Sequence, residues 1–385
     1  MCRVDAAAFH DRPSPEQQAR FREELSAMDC VGVHLDGELV GVAAARSLQL
    51  TFPGGELDVA GITSVAVLPT HRRRGVLRAL MGELLERAGA AGQPMAALFA
   101  AEGGIYGRFG FGAATRMASL RVDARAPLGL RVSPSQARMR LLDGDDALAA
   151  IRPLHDEVRS LRPGRPARDA TWWANRTLRD NPQQTPVRTV VLGEPGDEEG
   201  YAVYDTSIAT FPSDRVQVGV RQLEARTPAA EAALWRYLTS IDLADEVVAS
   251  LRPEDDRLLS LAANPDQVVV SRLRPGLWAR LLDAPAVLAA REWAHPPDLV
   301  LELRDEDRSA NAGRWHLTPG ACVETRAAPD IVVGVRELSG ACFGAPVAML
   351  RAANAGLVEE RTTGTVLRLD AALALPRAPF APEYW

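Results

Sequence analysis

The chain has 385 residues, of which 47% are hydrophobic and 24% are charged, and its formal net charge is −6 with a pI near 5.7. A chain of this length exceeds one ordinary hydrophobic core, so two or three domains are expected. The acidic balance argues against nucleic acid as the main partner, and no apolar run approaches the length that crosses a bilayer.

The first residues, Met1-Cys2-Arg3-Val4-Asp5, lack the charged-then-apolar layout of a signal peptide, so a cytoplasmic protein is expected. The four cysteines and six histidines are scattered along the chain. Because no Cys-x-x-Cys or His-x-x-x-His spacing occurs among them, no metal site is predicted.

Local signals near the start of the chain predict a helix and a hairpin. Ser14 can cap a helix that Pro15 begins, and Gln17 completes a capping box, so a helix is predicted to about residue 28. Two apolar runs at residues 31–35 and 39–43 flank Asp36-Gly37. That dipeptide favours the type I′ turn of a β-hairpin.

A strand, a turn, a helix and a second strand follow. The first strand, at residues 62–68, stops at Pro69, and apolar residues recur at helical spacing from Gly75 to about residue 88. Residues 95–100 have the composition of a buried strand. This is a βαβ unit, so its two strands are expected to be parallel.

The rest of the sequence predicts two further groups of elements. A Pro/Arg-rich stretch at residues 161–166 is expected to cross the surface of a second domain. That domain has predicted strands near 187–192, 200–204, 215–220, 246–251 and 268–273 and a helix near 229–241, which no basic glycine turn precedes. A third, α+β domain has predicted helices at about 277–290 and 345–355 and strands at 299–303, 315–317 and 331–335. The predicted domains are 1–130, 131–275 and 276–385.

The strongest internal motif is the basic turn inside the βαβ unit. Residues 65–78 read Val-Ala-Val-Leu-Pro-Thr-His-Arg-Arg-Arg-Gly-Val-Leu-Arg. Unpaired N–H groups and the positive end of the dipole favour an anion at a helix start, and Gly75 permits close approach of the backbone. The turn therefore predicts a pyrophosphate site. A solvated basic turn before an ordinary amphipathic helix is the alternative.

Two motifs carry a resemblance to a known family. Arg72, Gly75 and Leu77 occupy the Arg-x-x-Gly-x-small signature of the Gcn5-related N-acetyltransferases, with Leu77 departing from the usual Gly or Ala. Residues 102–112, Glu-Gly-Gly-Ile-Tyr-Gly-Arg-Phe-Gly-Phe-Gly, resemble the Eis (enhanced intracellular survival) family within that superfamily. Residues 277–283 are similar to the sterol-carrier-like domain of the same family, and the aromatic end at Trp385 agrees.

The resemblance implies an α/β (α+β) fold, with two tandem acetyltransferase-like (GNAT) domains that have mixed central sheets and a C-terminal sterol-carrier-protein-like α+β domain. It implies N-acetyl transfer from acetyl-CoA to amines, at several positions of aminoglycosides and on lysine side chains, by a homohexamer. Enzymes of this type normally begin with a β-strand ahead of the first helix, whereas residues 1–9 here look like that helix already.

The resemblance also implies roles for individual residues. Tyr106 matches the general acid, and the C-terminal carboxylate of Trp385 matches the general base. The positions that match acetyl-CoA contacts are Val65, Ala66 and Val67 along the strand, Arg73, Arg74, Gly75, Val76, Leu77 and Arg78 around the pyrophosphate, and Ala101 and Glu102 after the next strand.

The end of the chain points the same way on physical grounds. Residues 375–385 read Leu-Pro-Arg-Ala-Pro-Phe-Ala-Pro-Glu-Tyr-Trp, so three prolines stiffen the end and three aromatics give it surface to bury. A buried end carries its α-carboxylate with it. An ammonium must lose a proton before it attacks a thioester, and the departing thiolate is stabilised by a proton, so acetyl transfer needs both a base and an acid.

Several alternatives stay open at this level. Tyr106 could be a packing residue, and Trp385 could plug a domain interface with its carboxylate paired to an arginine. The acceptor could be a protein lysine instead of a small polycationic amine. Outside the enzymes, the alternative is a sensor or scaffold that binds acyl-CoA or a lipid without turnover.

Overall fold

A computed structural model describes residues 1–180, 186–207 and 216–385. The strands over these residues are β1 (Asp29–Leu35), β2 (Glu38–Phe52), β3 (Gly55–Val67), β4 (Met95–Phe99), β5 (Gly112–Ala113), β6 (Arg116–Asp123), β7 (Met139–Leu142), β8 (Arg188–Glu194), β9 (Asp197–Thr206), β10 (Val216–Ala225), β11 (Ala244–Pro253), β12 (Val268–Pro275), β13 (Leu277–Leu281), β14 (Leu299–Arg304), β15 (Gly313–Thr318), β16 (Ala321–Glu324), β17 (Ile331–Gly334) and β18 (Val358–Glu360).

The α-helices over the same residues are α1 (Cys2–Phe9), α2 (Pro15–Ser26), α3 (Val76–Ala90), α4 (Gly103–Tyr106), α5 (Gly144–Arg159), α6 (Ala170–Trp172), α7 (Pro228–Thr239), α8 (Leu258–Leu261), α9 (Ala284–Ala290), α10 (Val335–Ala341), α11 (Ala348–Asn354) and α12 (Thr365–Leu373). No helix within the described part of the chain is long and apolar enough to cross a bilayer.

The chain divides into two compact units. The first contains Met1–Thr115, Gly276–Pro376 and Tyr384–Trp385, and the second contains Arg116–Pro275 and Arg377–Glu383. The domain boundaries given above stay predictions.

Strands β1 and β2 of the first unit form an antiparallel hairpin. Asp36 and Gly37 both have positive φ, 51° and 79°, which confirms the type I′ turn between β1 and β2. The capping box of Ser14 and Gln17 at the start of α2 is also confirmed. Strands β2 and β3 pair from Phe52↔Gly55 to Gly41↔Val67, so both extend well beyond the predicted strands.

The predicted βαβ unit is confirmed in the same sheet, whose strand order is β1-β2-β3-β4-β13-β5. Strands β3 and β4 are parallel, and α3 connects them. The helix buries Leu80, Met81 and Leu84 with the core of this sheet because its apolar residues recur at helical spacing.

One prediction is wrong in this unit. Residues 277–281 form β13 instead of the start of a helix, and the helix α9 begins only at Ala284. All five residues of β13 are buried, because the strand lies between β4 and β5 in the interior of the sheet. Arg280 is accommodated there by a buried ion pair with Asp305, at 2.7 Å.

The first unit also contains a five-stranded sheet of order β16-β15-β14-β17-β18. Its strands β14, β15 and β17 confirm the three predicted near residues 299–335, and α11 confirms the later helix. This sheet with α9 to α12 is the α+β part of the chain.

The second unit is built on a seven-stranded sheet of order β12-β6-β11-β10-β9-β8-β7. Strands β8 to β12 and helix α7 confirm the elements predicted there, although Arg215, the first residue of one predicted strand, lies outside the described residues. As in the first unit, a helix connects two parallel strands, here β10 and β11.

The Pro/Arg-rich stretch at residues 161–166 does not cross the surface as predicted. Its last four residues, from Pro163 to Pro166, are buried. The reason is specific bonding: Arg165 pairs with Glu224 of β10, and the carbonyl of Pro163 accepts a hydrogen bond from the amide of Phe380.

Candidate active site

The carboxyl ends of β3 and β4 separate. Their parallel pairing joins Val59 through Ile62 to Met95 through Leu98, and no further pair between them is formed in the described structure. Strand β3 continues to Val67, and Ser64, with φ of 51°, introduces an irregularity in its pairing with β2. The backbone of Val65, Ala66 and Val67 therefore has no strand partner on the β4 side. An extended ligand can hydrogen-bond there as a strand would.

The basic turn connects this open edge to α3. Pro69–His71 forms one turn of 3₁₀ helix, and Gly75 takes the left-handed conformation, with φ of 79°, directly before Val76. No side chain of the described residues caps the helix, so the first amides of α3, at Val76, Leu77 and Arg78, have no capping partner there.

The arginines of the turn are available to a ligand. Arg72, Arg73, Arg74 and Arg78 are exposed, and none of them forms an ion pair with another described residue. Four guanidinium groups at an uncapped helix start provide the electrostatics that a pyrophosphate requires.

Tyr106 ends the short helix α4, which follows β4 after Ala101 and Glu102. Its side chain is 8% exposed, and its ring packs against Phe111 with 6.1 Å between centroids. Burial, with a further contribution from the Glu102 carboxylate, raises the pKa of Tyr106 to about 12. Its hydroxyl makes no hydrogen bond to any described residue, so a protonated donor is free for a ligand.

The glycines around Tyr106 allow neighbouring residues to pack closely against this segment. A Cβ on Gly107 would lie 2.7 Å from the guanidinium of Arg336, and one on Gly112 would lie 1.9 Å from the backbone oxygen of the same residue. Gly110 has φ of 77° and faces Arg280. The glycine-rich segment thus lets α10 and β13 approach closely, which fixes the position of Tyr106.

Trp385 lies at the point where β3 and β4 separate. The hydroxyl of Thr63 donates a hydrogen bond of 2.8 Å to a terminal oxygen of Trp385. The indole packs edge-on against Phe99, at 4.9 Å between centroids, and a Cβ on Gly61 would lie 3.0 Å from its Nε1. Thr63 directly follows the last paired residue of β3, so the carboxylate is held at the start of the open edge.

Family models match most of the chain. Two acetyltransferase (GNAT) domain models match residues 1–114 and 164–281, and a sterol carrier protein domain model matches residues 284–382. The N-acetyltransferase Eis of Mycobacterium tuberculosis is 34% identical, over 96% of this chain and 92% of its own. An N-acetyltransferase of Streptomyces avermitilis described as uncharacterized is 36% identical, over 98% and 94%.

This chain belongs to the Eis family of N-acetyltransferases. The solved structure of Eis1 from Mycobacterium abscessus agrees, with a TM-score of 0.87 and 30% identity over 100% of this chain and 96% of that one. A GCN5-related N-acetyltransferase from Anabaena variabilis, at 16% identity and a TM-score of 0.86, shares the fold. The two GNAT domains and the sterol-carrier-like domain expected from the sequence are confirmed.

In this Eis-family enzyme the described part of the second unit has no equivalent of the basic turn. Helix α7 begins with Pro228, which has no N–H group, and the Thr227 side chain already accepts a hydrogen bond from Ala230. Arg226 beside this turn is paired with Glu157 at 2.7 Å. The acetyl-CoA chemistry of the family therefore fits the first GNAT domain.

The contacts that hold the C-terminal tail in the second unit could not be predicted from the sequence. Arg168, almost fully buried, donates two hydrogen bonds to the Glu383 carboxylate and lies 4.4 Å from the ring centroid of Trp173. The amide of Ala378 donates to Asp255 at 3.0 Å. The tail is thus anchored two residues before Trp385, by partners that residue spacing could not identify.

Neither the thiols nor the histidines form a metal cluster within the described residues. Cys322 and Cys342 are buried, and burial raises the pKa of each thiol to about 12. His155 is buried beside Tyr201 and Gln222, and burial strongly lowers its pKa, so the described surroundings keep this imidazole neutral.

Proposed function

We propose that this enzyme transfers acetyl groups from acetyl-CoA to amines of polycationic small molecules of the aminoglycoside type, at several positions. The observation that carries this proposal is the hydrogen bond between Thr63 and a terminal oxygen of Trp385, at the residue of β3 where its pairing with β4 has ended. A carboxylate there attracts a cationic acceptor and lies beside the backbone that acetyl-CoA would follow.

The proposed acetyl-CoA site is the open edge and the basic turn. The backbone of Val65, Ala66 and Val67 would bind the acetyl and pantetheine parts, because it lacks a strand partner there. The pyrophosphate would lie on Arg73, Arg74 and Arg78 and on the amides of Gly75, Val76 and Leu77. Ala101 and Glu102, both exposed after β4, would line the other side.

The proposed reaction is direct attack. The Trp385 carboxylate accepts a proton from the bound ammonium, and the free amine nitrogen attacks the thioester carbonyl carbon. The C–S bond then breaks, the hydroxyl of Tyr106 donates a proton to the departing CoA thiolate, and the second proton lost by the new amide nitrogen restores that hydroxyl. The raised pKa of Tyr106 keeps its hydroxyl protonated at neutral pH, which suits an acid in this step.

Protein lysine is the second acceptor class. The Thr63–Trp385 contact suits any ammonium, so it does not choose between a free polyamine and a lysine side chain. The sensor alternative is set aside, since the chain is an N-acetyltransferase by family. A homohexamer, which the resemblance implies, is proposed for the assembly, and sedimentation velocity would test it.

An acceptor panel tests the proposal. The enzyme is incubated with acetyl-CoA and tobramycin, kanamycin or a lysine-containing peptide, and thiol release is compared with the mass of each acceptor. All 44 basic residues of the chain are arginines, so no lysine of the enzyme competes as an acceptor. Multiple acetylation of the aminoglycosides is expected. Acetylation of the peptide alone would assign the lysine activity instead.

A further inference from the structure

A small charged cavity lies in the second unit, at the carboxyl ends of β10 and β11. Its volume is about 50 Å³, and residues 223–225 of β10 and 252–253 of β11 line it. The parallel pairing of these strands ends at Val220↔Ala249. The cavity therefore lies where β10 and β11 separate. The proposed acetyl-CoA site lies at the corresponding place in the other sheet, where β3 and β4 separate.

The lining of this cavity is rich in positive charge. Three carboxyl groups line it, those of Glu224, Glu231 and Asp256. Five guanidinium groups face them, those of Arg162, Arg165, Arg252, Arg257 and Arg377. Burial and the neighbouring Asp256 raise the pKa of Glu231.

Four of the five arginines have carboxylate partners. Arg165 pairs with Glu224, Arg252 with Asp256 at 2.5 Å, Arg257 with Glu231 at 3.1 Å, and Arg162 with Asp255 at 2.6 Å.

Arg377, from the tail segment of this unit, differs from the other four. It forms neither an ion pair nor a hydrogen bond with any described residue, although it is half-buried. Burial and the guanidinium groups of Arg257 and Arg162 lower its pKa, and these effects exceed the opposing effects of the Asp255 and Glu231 carboxyl groups.

We propose that this cavity binds one tetrahedral oxyanion, such as inorganic phosphate or sulfate, with Arg377 as its main cationic contact. One water needs about 10–15 Å³ of such space, so this cavity holds a group of a few heavy atoms and is too small for a nucleotide or CoA. Guanidinium groups match the geometry of a phosphate oxygen pair. None of the residues that line this cavity is among those proposed for acetyl transfer.

Calorimetric titration of the full-length protein with inorganic phosphate at fixed ionic strength tests the proposal, with sulfate and acetate as comparison anions. We expect saturable binding of phosphate or sulfate with a Kd on the order of 1 mM or tighter. Acetate should bind at least about tenfold more weakly, since its planar carboxylate has only two oxygens for the guanidinium groups.

Arg377→Gln should weaken phosphate binding at least about tenfold. Arg138→Gln, which removes an exposed arginine of the same unit, should leave it unchanged. Arg377→Lys retains the charge and should bind phosphate more tightly than Arg377→Gln, and thermal unfolding in chloride shows that each variant is folded. Non-saturable heats, or equal phosphate binding by the wild type and Arg377→Gln, would overturn the assignment.

Discussion

The hydroxyl of Thr63 donates a hydrogen bond to a terminal oxygen of Trp385 at 2.8 Å, which places the end of the chain at the first residue of β3 that has no partner on the β4 side. Phe99, the last residue of β4, packs against both Tyr384 and Trp385. The two strands that separate to form the open edge thus also hold the terminus. This geometry is the basis for the catalytic role proposed for the carboxylate.

The basic turn should depend on the glycine at its end. Gly75→Ala should weaken acetyl-CoA binding for two reasons. The residue has φ of 79°, where a side chain costs about 1 kcal/mol, and the added Cβ would keep the pyrophosphate away from the backbone amides. Nothing lies within 4 Å of the added Cβ, so the fold should persist. Calorimetric titration with CoA measures the loss.

Gly82→Ala is the matched control for that variant. Gly82 lies within α3, also has open space around an added Cβ, and its φ is not positive. The substitution should raise the free energy of unfolding by about 0.5–1 kcal/mol and leave CoA affinity unchanged. Equal CoA affinity in both variants would show that the turn does not contribute to the CoA site.

Tyr106→Phe should lower kcat on the order of 10²–10⁴-fold if its hydroxyl protonates the leaving thiolate. The ring contact with Phe111 is retained in the variant, so the fold and the affinity for acetyl-CoA should change little. Steady-state kinetics with a fixed aminoglycoside measures the effect. A loss of only a few-fold would reduce Tyr106 to a packing residue.

The pH dependence should reflect the raised pKa of Tyr106. The ordinary pKa of a tyrosine is 10.0, and burial and Glu102 raise that of Tyr106 to about 12 in the folded protein. The acid form therefore persists to about pH 12, so kcat should not fall between about pH 7 and pH 10. An alkaline fall of kcat in that range, absent from Tyr106→Phe, would contradict this assignment.

The same shift has a consequence for stability. Between about pH 10 and pH 12 the unfolded chain releases the Tyr106 proton while the folded chain keeps it, so the free energy of unfolding should decrease as the pH rises through this window. Denaturant titrations of the wild type and Tyr106→Phe would show a smaller decrease in the variant.

The Arg168–Glu383 ion pair, which anchors the tail, should affect turnover but not the affinity for acetyl-CoA. Arg168→Gln leaves the Glu383 carboxylate buried without its ion-pair partner, which should cost about 3–5 kcal/mol of the free energy of unfolding. The released tail should expose residues 377–385 to hydrogen exchange and lower kcat, while the affinity for acetyl-CoA stays the same.

Arg140→Gln provides the comparison for the tail anchor. Arg140 forms an ion pair with Glu198 at 2.9 Å in the same unit, also largely buried and without contact to the tail. This variant should lose stability without a matching loss of kcat. An Arg168→Gln protein that is folded and retains wild-type kcat would show that the ion pair is structural only.

Local signals were sufficient to predict parts of the fold and the basic turn of the site. The Asp36-Gly37 turn, the capping box of Ser14 and the strand–turn–helix around Gly75 are each set by a few adjacent residues, so they could be predicted. Strand β13 could not, because its place between β4 and β5 depends on segments far away in sequence and its five residues carry no periodicity.

The partners of the tail could not be predicted for the same reason, because they are distant in the sequence. Nothing adjacent to Glu383 identifies Arg168, and burial of residues 163–166 follows from bonds to β10 and to the tail itself. The glycines near Tyr106 belong to the family motif at residues 102–112. The structure adds their physical cause, the close approach of Arg280 and Arg336.

The central claim, that the carboxylate of Trp385 is the base, is tested most directly by a chain whose last residue ends in a carboxamide, prepared by peptide ligation. The carboxamide keeps the indole and an oxygen for the Thr63 hydroxyl, so only the charge and the basicity are removed. We predict a fall of kcat on the order of 10²–10⁴-fold with unchanged affinity for acetyl-CoA. Wild-type turnover by the carboxamide enzyme would contradict the account.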